Sequence, residues 1–144
     1  IESSIESYQE RYNEAEIEII SDLEEVGMML GDQHRLTQLF TNLLENTLRY
    51  TDDPGRLMIK MVSDDDQIII SFADTPPGVE EETLNKIFDR FFREELSRSR
   101  EMGGAGLGLS ICSEIIEAHS GSIQAKQADI GGLEIIIKLS KGDL

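Results

Sequence analysis

The chain has 144 residues, the length of one domain, and its 13 Lys and Arg against 29 Asp and Glu give a net charge of −16. This balance excludes a nucleic-acid binder and a protein held on anionic lipid by a basic patch, because both need clustered cations. One cysteine excludes an internal disulfide framework, and no apolar run approaches the length that spans a bilayer. We therefore expect a compact, acidic, soluble domain and, without an initiating Met, a fragment of a longer protein.

The charge is unevenly distributed along the chain. Residues 1–34 hold ten acidic side chains and one basic side chain, a net charge of −9. Residues 86–100 hold five of the 13 basic groups, which are Lys86, Arg90, Arg93, Arg98 and Arg100. Such a cluster on an acidic domain indicates a site for a small anion, although the interleaved carboxylates, on charge alone, favour a solvated helix of mixed charge.

In the first third of the chain, helical and strand patterns alternate. Residues 1–13 are typical of the end of a helix without a clear core face. Alternating apolar residues predict a strand over 15–20, and a second short strand is expected over 26–30. A long helix is then predicted from 34 to 50, with Asp32 as its N-cap.

The middle of the chain predicts a hairpin and a further helix. Residues 56–62 and 67–72 are strand-like runs on either side of an acidic turn. A helix is expected over 80–92, followed by a polar stretch.

The last part of the chain begins with a glycine-rich loop at 103–108. A helix is expected to follow it to about His119, with Gly121 as the glycine beyond its C-cap. Strands over 122–128 and 133–139 predict a closing hairpin. A sheet of about five strands with helices on one face is an α+β, two-layer architecture.

The helix over 34–50 carries an unusual polar stripe. Asn42 and Asn46 lie one turn apart on the face that also holds Gln38, Glu45 and Arg49. Asn is a mediocre helix former, and its carboxamide oxygen suits Mg²⁺, while Arg49 is placed to meet a phosphate. The alternative is the ordinary polar face of an amphipathic helix.

Two loops carry further chemistry. Asp74 begins the turn Asp-Thr-Pro-Pro-Gly after an apolar strand, where its carboxylate could accept a hydrogen bond from an amino group such as adenine N6. The alternative is an Asx-type turn in which Asp74 caps its own loop. The loop with Gly103, Gly104, Gly106 and Gly108 lets backbone approach an anion and leads into a helix N-terminus. It is neither a Rossmann fingerprint nor a Walker A loop, and it is also compatible with a mobile surface lid.

Together and in this order, these segments resemble the catalytic domains of bacterial two-component sensor histidine kinases of the GHKL superfamily. The resemblance is carried by NLLENTLRY at 42–50 (N box), DTPPGV at 74–79 (G1 box), FDRFFR at 88–93 (F box) and GAGLGL at 104–109 (G2 box). Gly131-Gly132-Leu133 is similar to the last glycine motif. The similarity runs from about residue 14 to the end, and it is greatest to membrane sensor kinases of the envelope-stress type.

The resemblance implies a Bergerat-type α/β sandwich, a mixed sheet of about five strands packed on about three helices. Residues 14–144 would form the ATP-binding catalytic domain. Residues 1–13 would end a helix that joins it to a missing dimerisation and phosphoacceptor domain. The implied cofactors are ATP and Mg²⁺, and the implied partners are that domain, through which the protein dimerises, and a response regulator receiver domain. The resemblance also implies a cytoplasmic domain of an inner-membrane sensor.

The same resemblance assigns roles to individual residues. Asn42 and Asn46 would hold Mg²⁺ and, with Arg93 near the terminal phosphate, form the catalytic set. Asp74 would bind the adenine amino group. The other implied nucleotide contacts are Arg49, Tyr50, Gly78, Val79, Phe92 in the lid, and Gly104, Gly106, Leu107, Gly108 and Leu109 around the phosphates.

Two departures from the family pattern matter. Pro76 stands where the G1 box usually has its first glycine, which removes backbone freedom and an N–H. We expect adenine binding to survive because Asp74 and Gly78 remain. The family usually has bulky Lys or hydroxyl residues near the glycine loop, and not all of them are present in this chain. The sequence therefore does not assign the individual phosphate contacts of the lid.

Other functions share this superfamily. Its ATPases carry a Glu as base where this chain has Asn42, which favours transfer to another nucleophile over rapid hydrolysis. A non-catalytic nucleotide-binding module and a serine/threonine kinase of the anti-sigma type are the remaining alternatives. Neither His34 nor His119 is followed by a phosphoacceptor pattern, so we expect surface or capping roles for both. Cys112 is expected to be a core thiol.

Overall fold

The computed structural model describes residues 1–90 and 107–142. In chain order, the elements are α1 (Glu2–Glu14), β1 (Ile17–Leu23), α2 (Gln33–Tyr50), β2 (Gly55–Ser63), β3 (Gln67–Asp74), a 3₁₀ helix (Glu81–Thr83), α3 (Leu107–Ala118), β4 (Ser122–Gln127) and β5 (Leu133–Ser140). The predicted α+β class is confirmed, with five strands and three α-helices in the part of the chain that is described.

The five strands form one mixed sheet in the order β1-β2-β3-β5-β4. The predicted hairpins β2–β3 and β4–β5 are antiparallel, and β3 also pairs antiparallel with β5. β1 and β2 are parallel, with Ile17 opposite Gly55. Parallel neighbours need a long crossover connection, and α2 provides it. The chain therefore brings the end of α2 back to the edge of the sheet where β2 begins.

The core lies between one face of the sheet and the helices. The apolar face of α2 contributes Leu39, Phe40, Leu43 and Leu44, all of them buried. The Phe40 ring stacks on Phe72 of β3 with centroids 6.4 Å apart. Cys112 of α3 is fully buried, which raises the pKa of its thiol to about 12 and confirms the predicted core role.

The first helix has a core face, contrary to the expectation from the sequence. Tyr12 is completely buried, and its hydroxyl donates to the carbonyl of Leu44 at 2.6 Å. The expectation of a helix without a core face is wrong, because Ile5, Tyr8 and Tyr12 lie at helical spacing (i, i+3, i+7) and all pack against the core. That a helix covers this segment is confirmed, whereas its proposed connection to another domain stays a prediction.

Two predicted elements are wrong. Residues 26–30 form no strand: Met28 and Leu30 are 79% and 64% exposed, and the partly buried Val26 and Met29 are three residues apart, which does not fit one face of a strand. The helix predicted over 80–92 is reduced, within its described part, to a 3₁₀ turn at Glu81–Thr83 and further turns up to Arg90. The amides of Lys86 and Asp89 donate to carbonyls three residues earlier, which is the spacing of a 3₁₀ turn. Ile87 is the one buried apolar side chain in residues 80–90.

The end of α3 differs from the prediction by one residue. Ser120, with φ of +57°, occupies the left-handed position that we assigned to Gly121. The Ser120 amide donates to the Glu117 carbonyl at 3.0 Å and the Gly121 amide to the Ile116 carbonyl at 2.9 Å. This is the bonding pattern of a Schellman motif, in which Gly121 is the next residue along.

Candidate functional site

Asp74, the last residue of β3, is a buried carboxylate held from two sides. Its side chain is only 7% exposed. Oδ1 accepts from the backbone N–H of Leu133 at 2.8 Å, and Oδ2 accepts from the Thr47 hydroxyl at 3.2 Å. These donors belong to β5 and α2, so the alternative of an Asx turn capping its own loop is wrong.

The environment of Asp74 sets its protonation by opposing effects. Burial raises the pKa of Asp74, while hydrogen bonds from Leu133, Thr47 and Thr51 lower it. Burial is the larger effect, so ionised Asp74 is kept at an energetic cost that the hydrogen bonds only partly offset. A costly buried acid at the end of a strand is typical of a functional site.

The backbone around Asp74 is packed too closely for side chains. A Cβ on Gly132 would overlap the Asp74 carboxylate and its carbonyl. Gly78, with φ of +64°, would place a Cβ 2.8 Å from the carbonyl carbon of Gly132. The Gly132 amide donates to the Asp74 carbonyl at 3.0 Å. These two glycines therefore let the loop after β3 lie directly against the β4–β5 turn and fix the carboxylate.

Pro76 does not disturb this arrangement. Its carbonyl accepts from the amide of Asp52 at 3.1 Å, and its ring packs against the backbone of Gly131. Asp74 and Gly78 keep the positions described above. The substitution of proline for the family's usual glycine is thus accommodated in the fold, and survival of adenine binding stays a prediction.

The two asparagines lie on α2, which begins as predicted at an Asp32 N-cap that accepts from the Arg35 amide at 3.1 Å. Asn46 immediately precedes Thr47, so the bond from Thr47 to Asp74 fixes the rotation of α2 beside the carboxylate. Asn42 and Asn46 are both partly exposed. Within residues 1–90 and 107–142, neither carboxamide makes a hydrogen bond. Two available carboxamide oxygens one helical turn apart suit a hard cation that keeps several of its waters.

Three further predicted nucleotide contacts, Arg49, Tyr50 and Val79, are partly exposed. Arg49 is 29% exposed and lies 3.8 Å from the Glu45 carboxylate. Tyr50, the last residue of α2, is partly buried. Val79, next to Gly78, is partly buried against the core.

The other predicted contacts fall into two groups. α3 begins at Leu107, so the last two residues of the predicted glycine loop are helical. Leu109 is 6% exposed within the core, which is a packing position. Gly108 lies in the first turn of the same helix. Phe92, Arg93, Gly104 and Gly106 lie outside the described residues.

The basic cluster at 86–100 is described only in part. Lys86 and Arg90 are exposed, and Arg90 forms an ion pair with Glu114 of α3. Arg93, Arg98 and Arg100 lie outside the described residues. The anion-site interpretation of this cluster therefore stays a prediction.

Four residues around Asp74 were given no role by the sequence analysis, although three of them lie in the quoted motifs. Thr47, Thr51 and the backbone of Leu133 bind or face Asp74, and Gly132 makes room for it. The spacing of Thr47 and Thr51, one turn apart at the end of the polar stripe, was the available signal for the two hydroxyls.

His119 joins the ends of two helices. Its Nδ1 lies 2.8 Å from the carbonyl of Ile115, and its Nε2 accepts from the backbone N–H of Asp32 at 3.0 Å. The ring is thus a neutral bridge from α3 to the start of α2, which confirms the capping role. His34 is exposed.

Two features are absent from the described residues. They contain no group of three or more His, Cys, Asp or Glu side chains placed to hold a metal ion. Among the same residues, no helix combines the length and the apolar character that crossing a membrane requires.

Comparisons with known proteins agree with the motifs. Residues 31–143 match the family model of histidine kinase-, DNA gyrase B- and HSP90-like ATPases. The chain is 44% identical over 133 residues to the signal transduction histidine-protein kinase BaeS of Escherichia coli (strain K12), which covers 92% of this chain and 28% of BaeS. The chain thus spans less than a third of that relative.

Solved structures show the same fold. The catalytic domain of histidine kinase ThkA superposes with a TM-score of 0.84 at 25% identity, covering 97% of this chain and 90% of that one. Full-length ShkA in complex with AMPPNP superposes with a TM-score of 0.80 at 26% identity, covering 99% of this chain and 30% of that one. With its sheet, its helices and the sequence motifs of residues 31–143 all in agreement, the chain belongs to the histidine kinase-, DNA gyrase B- and HSP90-like ATPase family.

Proposed function

We propose that this chain binds Mg²⁺ and ATP and transfers the γ-phosphate to a histidine on a separate dimerisation domain of a sensor histidine kinase. The observation that carries the proposal is the buried carboxylate of Asp74 beside the available carboxamides of α2. Family membership supplies the context, and BaeS, a histidine-protein kinase, is the relative that supports this class of acceptor.

Asp74 is suited to an adenine amino group. An ionised carboxylate offers about four acceptor positions, and the donors from Leu133, Thr47 and Thr51 leave at least one of them. An amino group donates hydrogen bonds, so it is recognised by the ionised carboxylate, which only accepts them. Gly78, whose missing side chain lets the loop after β3 lie against Gly132, would pack near the base.

We assign the phosphates to the polar stripe of α2. Asn42 and Asn46 would hold Mg²⁺ through their oxygens, and Arg49 and Tyr50 would contact the nucleotide. Bound Mg²⁺ neutralises charge on the phosphates during transfer. Arg93 and the glycine loop would complete the phosphate contacts.

Transfer to histidine is favoured over hydrolysis by Asn42. A carboxamide cannot take a proton from an attacking water, whereas a histidine ring nitrogen is itself a nucleophile. Its nitrogen forms a bond to the γ-phosphorus as the bond from phosphorus to the leaving oxygen of ADP breaks. His119 is a poor acceptor, because both of its ring nitrogens face backbone groups.

The Mg²⁺ role is tested by Asn46→Ala with Gln38→Ala as a matched control. Both changes remove one carboxamide from the polar stripe of α2, two turns apart. We expect Asn46→Ala to remove the Mg²⁺-dependent part of ATP affinity in titration calorimetry, and Gln38→Ala to leave it unchanged. Retention of normal Mg²⁺ dependence by Asn46→Ala would refute the assignment.

The acceptor is tested by mixing this chain and γ-labelled ATP with a dimerisation domain of the parent kinase. Acid-labile label on that domain supports histidine phosphorylation. Phosphate release alone would assign an ATPase, acid-stable label on serine or threonine would assign the anti-sigma type of kinase, and tight binding without turnover would assign a regulatory module.

The wider setting follows from the same proposal. The parent kinase would dimerise through the acceptor domain and pass phosphate to a response regulator receiver domain. This chain would then be the cytoplasmic part of an inner-membrane sensor, with residues 1–13 leading towards the acceptor domain.

A further inference from the structure

Glu45 links α1 to the proposed nucleotide site. It lies on α2 between the two site asparagines. Arg11 binds its carboxylate with both terminal nitrogens, at 2.8 and 3.0 Å, and Tyr8 donates its hydroxyl at 3.0 Å. The Arg11 guanidinium also stacks over the Tyr8 ring at 5.1 Å. A paired, stacked arginine of this kind has a defined geometry that a single exposed contact lacks.

The same carboxylate faces a residue of the site. Arg49 lies 3.8 Å from the second oxygen of Glu45, which is an ion pair without a hydrogen bond. Among the described residues, Glu45 is the acid paired with Arg49, and it is also the acid paired with Arg11. Two arginines, one from each helix, therefore share one negative charge.

We propose that Arg11 is a positioning residue for the nucleotide site, which neutralises Glu45 and so leaves Arg49 available for phosphate. This inference rests on the proposed function, because it takes Arg49 as a nucleotide contact. Arg11 lies on α1, and its side chain contacts Tyr8 and Glu45 among the described residues.

The sign of the effect follows from the charges. Glu45 is the negative partner of this cluster, because its carboxylate receives both terminal nitrogens of Arg11 and the Tyr8 hydroxyl. Without Arg11, the uncompensated carboxylate would hold Arg49 more strongly and would repel a polyphosphate at the neighbouring asparagines. Both effects weaken ATP binding, although Arg11 is not in contact with the nucleotide.

Two substitutions break the same ion pair and separate this role from a structural one. We expect Arg11→Gln to weaken ATP binding about fivefold, the upper range of a partly exposed pair. We expect Glu45→Gln to leave ATP binding unchanged or to strengthen it, because the competing charge is gone. If α1 only braces α2, both variants should weaken binding to the same extent, and that result would overturn the proposal.

The double variant and two controls complete the test. In Arg11→Gln/Glu45→Gln, ATP affinity should return to at least the unmodified value, while Arg11→Lys, which keeps the charge, should stay near it. Lys126→Gln removes a cation from the remote pair of Lys126 with Glu134, 3.8 Å apart, and should have no effect. An effect of Lys126→Gln equal to that of Arg11→Gln would overturn the inference by assigning it to net charge.

Failure of the inference is distinguishable from failure of the proposed function. If the unmodified chain binds no ATP, the proposed function is refuted and the inference falls with it. If the unmodified chain binds ATP and Arg11→Gln binds it equally well, only the inference is refuted. Unfolding midpoints measured on every variant exclude loss of the fold as the cause, and the effect of Arg11→Gln should shrink at high salt.

Discussion

At the scale of single residues, Asp74 shows a conflict between stability and binding. Its burial raises the pKa, so the folded protein holds the Asp74 proton more tightly than the unfolded chain does. The contribution of Asp74 to stability is therefore greatest in acid and is lost as the pH rises through its raised pKa. An uncharged side chain of the same shape removes this loss.

Asp74→Asn should accordingly make the protein more stable at neutral pH. The Asn oxygen can still accept from Leu133, and its amide can donate to the Thr47 oxygen. We expect the gain to shrink as the pH falls through the raised pKa of Asp74 and to be gone below the ordinary aspartate pKa of about 3.9, where Asp74 is protonated in both states. Thermal unfolding of both proteins between neutral and acid pH measures this; a gain that does not change with pH would contradict the argument.

The same substitution should weaken ATP binding. A hydrogen bond to a charged group contributes about 1.5–3 kcal/mol, so we expect ATP affinity to fall roughly 10- to 100-fold in Asp74→Asn. Affinity for inorganic triphosphate, which has no adenine, should fall much less. Equal losses for the two ligands in competition titrations would show that Asp74 does not contact the base.

Residue types and spacing predicted part of this site. Asn42 and Asn46 were found from their one-turn spacing, and Asp74 from its place after an apolar strand. The backbone donor to Asp74 could not be found in the same way, because the Leu133 amide reaches it only after β5 has paired with β3. Such a contact has no local sequence pattern.

At the scale of elements, the ends of α2 and α3 depend on one another. His119 accepts from Asp32 at the start of α2 while it bonds Ile115 on its own helix. Asp32 is in turn the N-cap of α2. The imidazole therefore satisfies an otherwise free amide at the point where the two helices meet.

His119→Ala should lower the free energy of unfolding by about 1–2 kcal/mol, because it leaves the Asp32 amide without its partner. For a chain of this size the midpoint should fall by roughly 2–8 °C. His34→Ala removes an imidazole from an exposed position and should shift the midpoint little. Equal shifts in the two variants would refute the bridging role.

The C-terminus of α3 offers a stabilising change. Ser120 has φ of +57°, a conformation that costs a non-glycine residue roughly 1–2 kcal/mol. Ser120→Gly should therefore stabilise the protein by up to about 1 kcal/mol in urea unfolding, after the entropy cost of glycine. Gly121→Ala should destabilise it, since a Cβ there would overlap the Lys138 carbonyl. A neutral Gly121→Ala would contradict this packing.

Prediction of the elements succeeded where the apolar period was sustained. The two hairpins and α2 have long, regular patterns, and all three are confirmed. The segments at 26–30 and 80–92 have short apolar runs, which do not reveal whether a partner surface exists. In the structure, Met28 and Leu30 are exposed, and the strand predicted at 26–30 is absent.

At the scale of the whole molecule, the order of the strands lay beyond local patterns. Alternation along β1 is the same whether its neighbour is parallel or antiparallel, so the parallel pairing with β2 had no local signal. The family resemblance supplied the mixed sheet, and the structure confirms it. The resemblance did not reveal the contact of Arg11 with Glu45, since that depends on side chains of this particular chain.

The net charge of −16 acts on the whole molecule differently from the local charges of the site. Repulsion among carboxylates opposes the compact state, and salt reduces it as the Debye length falls from about 10 Å at 0.1 M to about 3 Å at 1 M. We therefore expect the unfolding midpoint to rise with NaCl.

ATP affinity should fall over the same range, because Arg49 and the bound cation attract the phosphates at short distance. Parallel calorimetric and thermal titrations measure both slopes. If ATP affinity rose with salt instead, long-range repulsion by the acidic exterior would dominate over the cations of the site, and the nucleotide contacts assigned to α2 would have to be abandoned.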